Sequence, residues 1–194
     1  RRDGRKIGLL FLDLDDFKIV NDTLGHDSGD RLLQEVADRI RRSVRTGDVI
    51  ARLGGDEFAV LMEGIVTPRE AEAVANGLLE TVSQPYHIND RQLAITTSIG
   101  ITMYPNDNSD TQMLLKNADI AMYQAKESGR NNFQFFHEQM HADLMAYHEL
   151  ERDIRDAIRL GEFHLAFQPK VNARTSRLQG LEALLRWISP IRGS

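Results

Sequence analysis

Residues 7–12 (IGLLFL) form an unbroken apolar run closed by the acids Asp13, Asp15 and Asp16. An uninterrupted run of that length predicts a central strand covered on both faces. Phe17, Ile19, Val20 and Leu24 follow at the spacing of a short helix that stops near Gly25. Leu32, Leu33, Val36, Ala37 and Ile40 recur at helical spacing, with Asp27 or Ser28 as the expected cap. Short strands are predicted at 49–53 and 58–62. Gly54 and Gly55 lie between them, a hairpin signal because both residues accept positive φ. Pro68 suits the first turn of a helix that runs to about residue 83. Residues 93–103 alternate and read as one strand. Ser109 or Asp110 caps a helix that ends by Gly129, and residues 132–136 form a short strand. A long amphipathic helix is expected over 138–160, then two strands at 163–169 and 178–187.

The 194 residues are 41% hydrophobic and 27% charged, with 14 Gly and 5 Pro, so most of the chain should fold. Cysteine is absent, which excludes disulfides, thiolate metal sites and a Cys nucleophile. The net charge of −5 gives no global field for a nucleic acid polymer. An anionic ligand would need local cations or a metal. No apolar run is long enough to span a bilayer, so no membrane contact is expected from this segment. The chain opens on Arg1-Arg2 without a signal peptide pattern, and it reads as an excised segment of a longer protein.

Asp13 closes the buried strand, and Asp56 follows the Gly54-Gly55 turn. Two carboxylates from neighbouring strands can share a hard divalent cation. Mg²⁺ often takes only one or two carboxylates plus substrate phosphates, and so could align a hydroxyl with phosphorus. The alternative is that these acids are solvated turn formers. A calcium loop is rejected, because its oxygen and glycine positions hold Phe17 and Lys18. No G-x-x-x-x-G-K-[ST] loop exists.

RLGGDEF at 52–58 resembles the signature of the GGDEF family of diguanylate cyclases, which make cyclic di-GMP from two GTP. FLDLDDFK at 11–18, Asn21-Asp22, Gly25-His26-Asp27, Gly29-Asp30, TSIG at 97–100, Ala118-Asp119, Tyr123, Ala125-Lys126 and Gly129-Arg130-Asn131 fall where that family places them. The resemblance covers about residues 6–137. It implies an α+β fold with an antiparallel central sheet flanked by helices, similar to the palm of polymerases and nucleotidyl cyclases (ferredoxin-like). It also implies roles. Asp13, Asp56 and the Leu14 carbonyl hold Mg²⁺ or Mn²⁺, two per active site. Glu57 assists the metal or deprotonates the attacking hydroxyl. Asn21 and Asp30 read guanine, while Phe17 and Lys18 lie near the triphosphate. Gly54 and Gly55 admit the phosphates. Lys126 and Arg130, four apart on a helix end and so on one face, contact phosphate. A solvated basic helix end is the plainer reading of that pair. Asp at the third signature position is a family variant, one methylene shorter than Glu. Two domains must face each other, which implies at least a transient homodimer. Arg45 and Asp48 (R-x-x-D) match the family's inhibitory product site; alone, they would read as a helix-end ion pair. The family usually has a further N-terminal segment with an Asp-x-Leu-Thr turn, which is missing here. The resemblance places the module in the cytoplasm, with any membrane anchor outside this segment.

A domain boundary is expected in the long helix, giving residues 1–137 and 138–194. LERD at 150–153, FQPK at 167–170 and LEALLRW at 181–187 resemble the start of an EAL phosphodiesterase domain. That resemblance makes Glu182 a metal carboxylate and Gln168 and Arg186 substrate contacts. The later ligands are missing, so no phosphodiesterase activity is expected from this chain. The second reading of the cyclase-like part is a GTP- or cyclic-di-GMP-sensing domain that regulates an adjacent phosphodiesterase. HEQMH at 137–141 fits the zinc protease pattern on a predicted helix, but no extended pattern follows, and linker histidines are the better account.

Overall fold

The structure is a computed structural model and describes residues 6–190 and 193. The chain divides into two compact units, Arg1–His141 and Ala142–Ser194.

The first unit is built on a five-stranded sheet in the order β2-β3-β1-β6-β7. In chain order come β1 (Lys6–Leu14), α1 (Phe17–Leu24), α2 (His26–Ser43), β2 (Val49–Gly54), β3 (Glu57–Ile65) and α3 (Pro68–Ser83). They are followed by β4 (Tyr86–Ile88), β5 (Arg91–Leu93), β6 (Thr97–Tyr104), α4 (Thr111–Glu127) and β7 (Phe133–Phe135). The pairings from β2 through β6 are antiparallel, as expected, and β7 adds one parallel pairing to β6 across the α4 crossover.

Residues 7–12 of β1 are apolar because both faces of the strand are covered. Leu10, Leu12 and Leu14 point with Phe58, Val60, Ile99 and Ile101 into the main core under α2 and α3. Leu9 and Phe11 join Ala59 in a smaller core with Leu114, Ala118 and Met122 of α4. Each layer therefore removes apolar surface from water at about 25 cal/mol per Å².

Three local expectations change. α2 begins at His26 with Gly25 at its N-cap, so neither Asp27 nor Ser28 caps it; Ser28 instead donates its hydroxyl to the Leu24 carbonyl at 3.0 Å. The strand expected over 93–103 is two strands, because residues 94–96 leave the ladder before β6. In the β2–β3 turn only Gly55 takes positive φ (+49°), and Gly54 stays in the strand. The expected cap of α4 does form, and α3 has one that was not expected. Thr67 and Glu70 make a reciprocal capping box, and Asp110 accepts from the Met113 N–H at 3.0 Å.

The second unit contains most of α5 (Gln139–Leu160) and an antiparallel hairpin of β8 (Phe163–Val171) and β9 (Leu178–Trp187). The Trp187 indole stacks on Phe163 and donates to Glu162 at 2.9 Å. Leu165, Phe167, Leu181 and Leu185 are exposed on this hairpin. No helix among the described residues is long and apolar enough to cross a membrane.

Candidate active site at the acidic end of the sheet

The C-terminal end of β1 gathers the charged residues. Asp13 pairs in register with Glu57 of β3, so their side chains leave the same face of the sheet. Asp56 sits in the turn just before, and its carbonyl accepts the Leu14 N–H at 3.3 Å. Arg52 stiffens this turn by donating Nε and Nη2 to the Gly55 carbonyl at 2.9 and 2.7 Å. A Cβ built on Gly54 or Gly55 would meet nothing within 4 Å, so the turn opens onto free space rather than packed protein.

Asp13 is only 8% exposed. Burial pushes its carboxyl above the usual range; the Lys126 ammonium, 2.7 Å from Oδ1, opposes the rise, and the charges of Asp56 and Glu57 add to it. A carboxylate in this setting is suited to a cation. The available donors are all hard oxygens, and no set of three or more His, Asp or Glu side chains forms a closed cage among the described residues. That chemistry fits a Mg²⁺-type ion held by few carboxylates and completed by substrate phosphates.

Lys126 and Arg130 meet this acidic end by a different route from the one expected. α4 ends at Glu127, and Arg130 lies beyond it with φ of +61°, so the two do not share a helix face. Instead the loop after α4 turns back, and the Arg130 guanidinium lies 3.9 Å from Asp16. The packing of α1 on α2 brings Asn21 against Gly29, the residue before Asp30. A Cβ on Gly29 would lie 1.9 Å from Asn21 Oδ1, so only glycine permits that approach. Asp30, the next residue, is exposed. Lys18 is also exposed, but the Phe17 side chain is buried in the main core and leaves only its backbone for a ligand.

Arg45 and Asp48 occupy the α2–β2 turn. Their link is a backbone one: the Arg45 N–H donates to Asp48 Oδ2 at 3.1 Å, and the guanidinium reaches Glu70 at 3.4 Å. In the second unit Gln168 and Glu182 are register partners, and Arg186 follows on the same face of β9. Glu182 pairs with Lys170 at 3.2 Å. His137 precedes α5, so the HEQMH segment does not have the helical geometry of a zinc protease. Asp15, one of the acids that close the apolar run, is a buried acceptor of three hydrogen bonds.

Residues 1–132 match the family described as diguanylate cyclase, GGDEF domain, and residues 151–194 match the EAL domain. The chain is 47% identical over 192 residues to the bifunctional diguanylate cyclase/cyclic di-GMP phosphodiesterase MucR of Pseudomonas aeruginosa, covering 99% of this chain and 28% of that protein. It is 41% identical over 190 residues to the cyclic di-GMP phosphodiesterase NbdA of the same organism, covering 98% and 24%. The chain thus spans about a quarter of the length of these curated relatives. An X-ray structure of an EAL/GGDEF domain protein from M. capsulatus superposes with a TM-score of 0.67 at 48% identity, over 71% of this chain and 88% of that one. With its signature turn, acidic strand end and returning basic loop, the chain belongs to the GGDEF diguanylate cyclase domain family, followed by a segment of the EAL family.

Proposed function

We propose that the first unit is a diguanylate cyclase module that condenses two GTP into cyclic di-GMP. The observation that carries this reading is the meeting of Asp13, Asp56 and Glu57 with Lys126 and Arg130 at one end of the sheet. In each of two steps a ribose 3′-oxygen bonds to the α-phosphorus of the facing GTP. The bond to pyrophosphate breaks, and the hydroxyl proton passes to a base, for which Glu57 stands nearest in the motif. Lys126 and Arg130 neutralise phosphate charge, while Asn21 and the Asp30 carboxylate suit the donor edge of guanine. Asp13, Asp56 and the Leu14 carbonyl would hold two Mg²⁺ or Mn²⁺ ions, which supply hydroxyl acidification and charge neutralisation at the leaving group. One domain offers one half-site, so two copies must face each other. The cytoplasmic location belongs to the same reading.

The test is to incubate the purified chain with GTP and Mg²⁺ at rising protein concentration and to separate the nucleotides. Cyclic di-GMP should form with a rate steeper than linear in protein. Tight GTP binding without cyclic or linear product at any concentration would favour the second reading, a nucleotide-sensing domain that regulates a phosphodiesterase. That alternative draws on the name of NbdA and on the EAL segment that follows here.

Product inhibition is part of the proposal. Arg45 presents a guanidinium at an exposed turn, with Asp48 bound to its backbone. Losing one charge-assisted contact costs about 1.5–3 kcal/mol, so Arg45→Ala should weaken inhibition by added cyclic di-GMP roughly tenfold or more. An unchanged inhibition curve would remove Arg45 from the product site.

A further inference from the structure

We propose that Asp15 is a positioning residue. Its buried carboxylate holds the loop after α4, and through it the Arg130 cation, at the acidic end of β1. The kinetic part of this proposal rests on the cyclase reading of that cluster; the structural part rests on geometry alone.

Asp15 lies in a turn with Asp16, where a solvated acid would be ordinary, yet it is 5% exposed. Burying a carboxylate is costly unless donors surround it. Here Oδ1 accepts from the Ser98 hydroxyl at 2.7 Å, and Oδ2 accepts from the Thr96 hydroxyl at 2.6 Å and the Asn131 N–H at 3.2 Å. Its own N–H donates to the Thr96 carbonyl at 2.9 Å. These donors come from two segments more than 80 positions away.

The Asn131 contact is the informative one. Gly129, Arg130 and Asn131 take φ of +108°, +61° and +47° in succession. Asn tolerates that region but Arg resists it, so surrounding contacts must impose it at Arg130. Asn132 ties the loop to its own helix, donating to the carbonyls of Ala125 at 2.7 Å and Arg130 at 2.9 Å. The Arg130–Asp16 pair is long and more than half exposed, and such pairs constrain little. The Asn132 carbonyl also accepts the Ile99 N–H of β6 at 3.0 Å, and among the described hydrogen bonds Asp15 to Asn131 is the one that fastens this loop to the end of β1. Asp15 therefore touches no substrate atom in the proposed mechanism, but it sets where Arg130 stands.

The test uses the full chain with Asp15→Ala and Asp15→Asn. An amide can still accept the Asn131 and Thr96 hydrogens through its oxygen and donate to Ser98 through its nitrogen; a methyl group can do neither. Amide hydrogen exchange over residues 129–132 should accelerate about tenfold or more in Asp15→Ala and stay near wild type in Asp15→Asn. Cyclic di-GMP formation should fall roughly 10- to 100-fold in the Ala variant and recover in the Asn variant. Because Arg130 faces phosphate in the proposed site, Asp15→Ala should lose affinity for GTP but not for guanosine. Unaltered exchange in Asp15→Ala overturns the proposal. So does faster exchange with the wild-type preference for GTP over guanosine, which would make Asp15 merely structural. If Asp15→Ala does not fold, Thr96→Val decides the same readouts through the loss of one partner, and no change in them overturns the proposal. If the wild-type chain makes no product, the cyclase reading fails, while exchange and the GTP-to-guanosine preference still decide the role of Asp15.

Discussion

Asp56→Ala should lower cyclic di-GMP formation by on the order of 10³-fold while leaving the fold intact. The activity loss follows from the charge count. The proposed site has few carboxylates, with Asp13 already partly neutralised by Lys126 at 2.7 Å. Removing Asp56 takes away one of the oxygens expected to hold the metals, and several kcal/mol of transition-state stabilisation corresponds to about three decades in rate. The fold should survive because the structural contact of Asp56 is its backbone carbonyl, which accepts the Leu14 N–H and persists in alanine. Thermal unfolding should therefore shift by less than about 0.5 kcal/mol equivalent, the usual range for a turn residue away from the core. Asp56→Glu restores a carboxylate on a longer arm and should recover turnover. Chromatographic assay of the three proteins with GTP checks this; turnover in Asp56→Ala within tenfold of wild type would take Asp56 out of its metal role.

The sheet and helices were legible because their signals are local or periodic. The IGLLFL run, the 3.6-residue spacing of α2 and the proline at the start of α3 each report on a few neighbouring residues. The signature turn was legible for the same reason. What escaped was set by contacts distant in sequence. Lys126 and Arg130 were expected on one helix face because they are four apart, but the helix ends at Glu127 and the following loop is bent back by Asp15 and Asn132. Nothing near Arg130 in sequence announces a partner over a hundred residues upstream. Asp15 was hidden in a run of acids whose common explanation is solvation, and its burial depends on hydroxyls at Thr96 and Ser98. The start of α2 differs because Asp27 and Ser28 are good capping residues by type, whereas the chain enters the helix two or three residues earlier through Gly25. The break at residues 94–96 is of the same kind, since Thr96 leaves the ladder where its hydroxyl and carbonyl serve Asp15.

Gly100→Ala should destabilise the first unit by about 3 kcal/mol or more, the upper part of the range for overpacking a well-filled core. Gly100 sits in β6 directly beneath α4. A Cβ there would lie 1.9 Å from the Ala118 carbonyl oxygen and 2.3 Å from the Met122 backbone nitrogen. Both are backbone atoms of a regular helix, so no rotamer change relieves the clash and α4 itself must move off the sheet. Gly8 supplies the control. A Cβ at Gly8 would meet Ile65 Cδ1 at 2.7 Å, which is the end of a flexible side chain, so Gly8→Ala should cost clearly less. Urea unfolding should show a lower midpoint for Gly100→Ala with an unchanged slope, and a melting temperature lower by roughly 10 °C. The displacement also has a functional reading, because α4 carries Lys126 to Asp13 near its C-terminal end. A shift of α4 by a fraction of an ångström lengthens that contact, so turnover should fall in Gly100→Ala even at temperatures where the domain is fully folded. Equal stability of the Gly100→Ala and Gly8→Ala proteins would show that α4 can slide on β6 without penalty, and the close backbone packing would then not be what fixes Lys126 at the site.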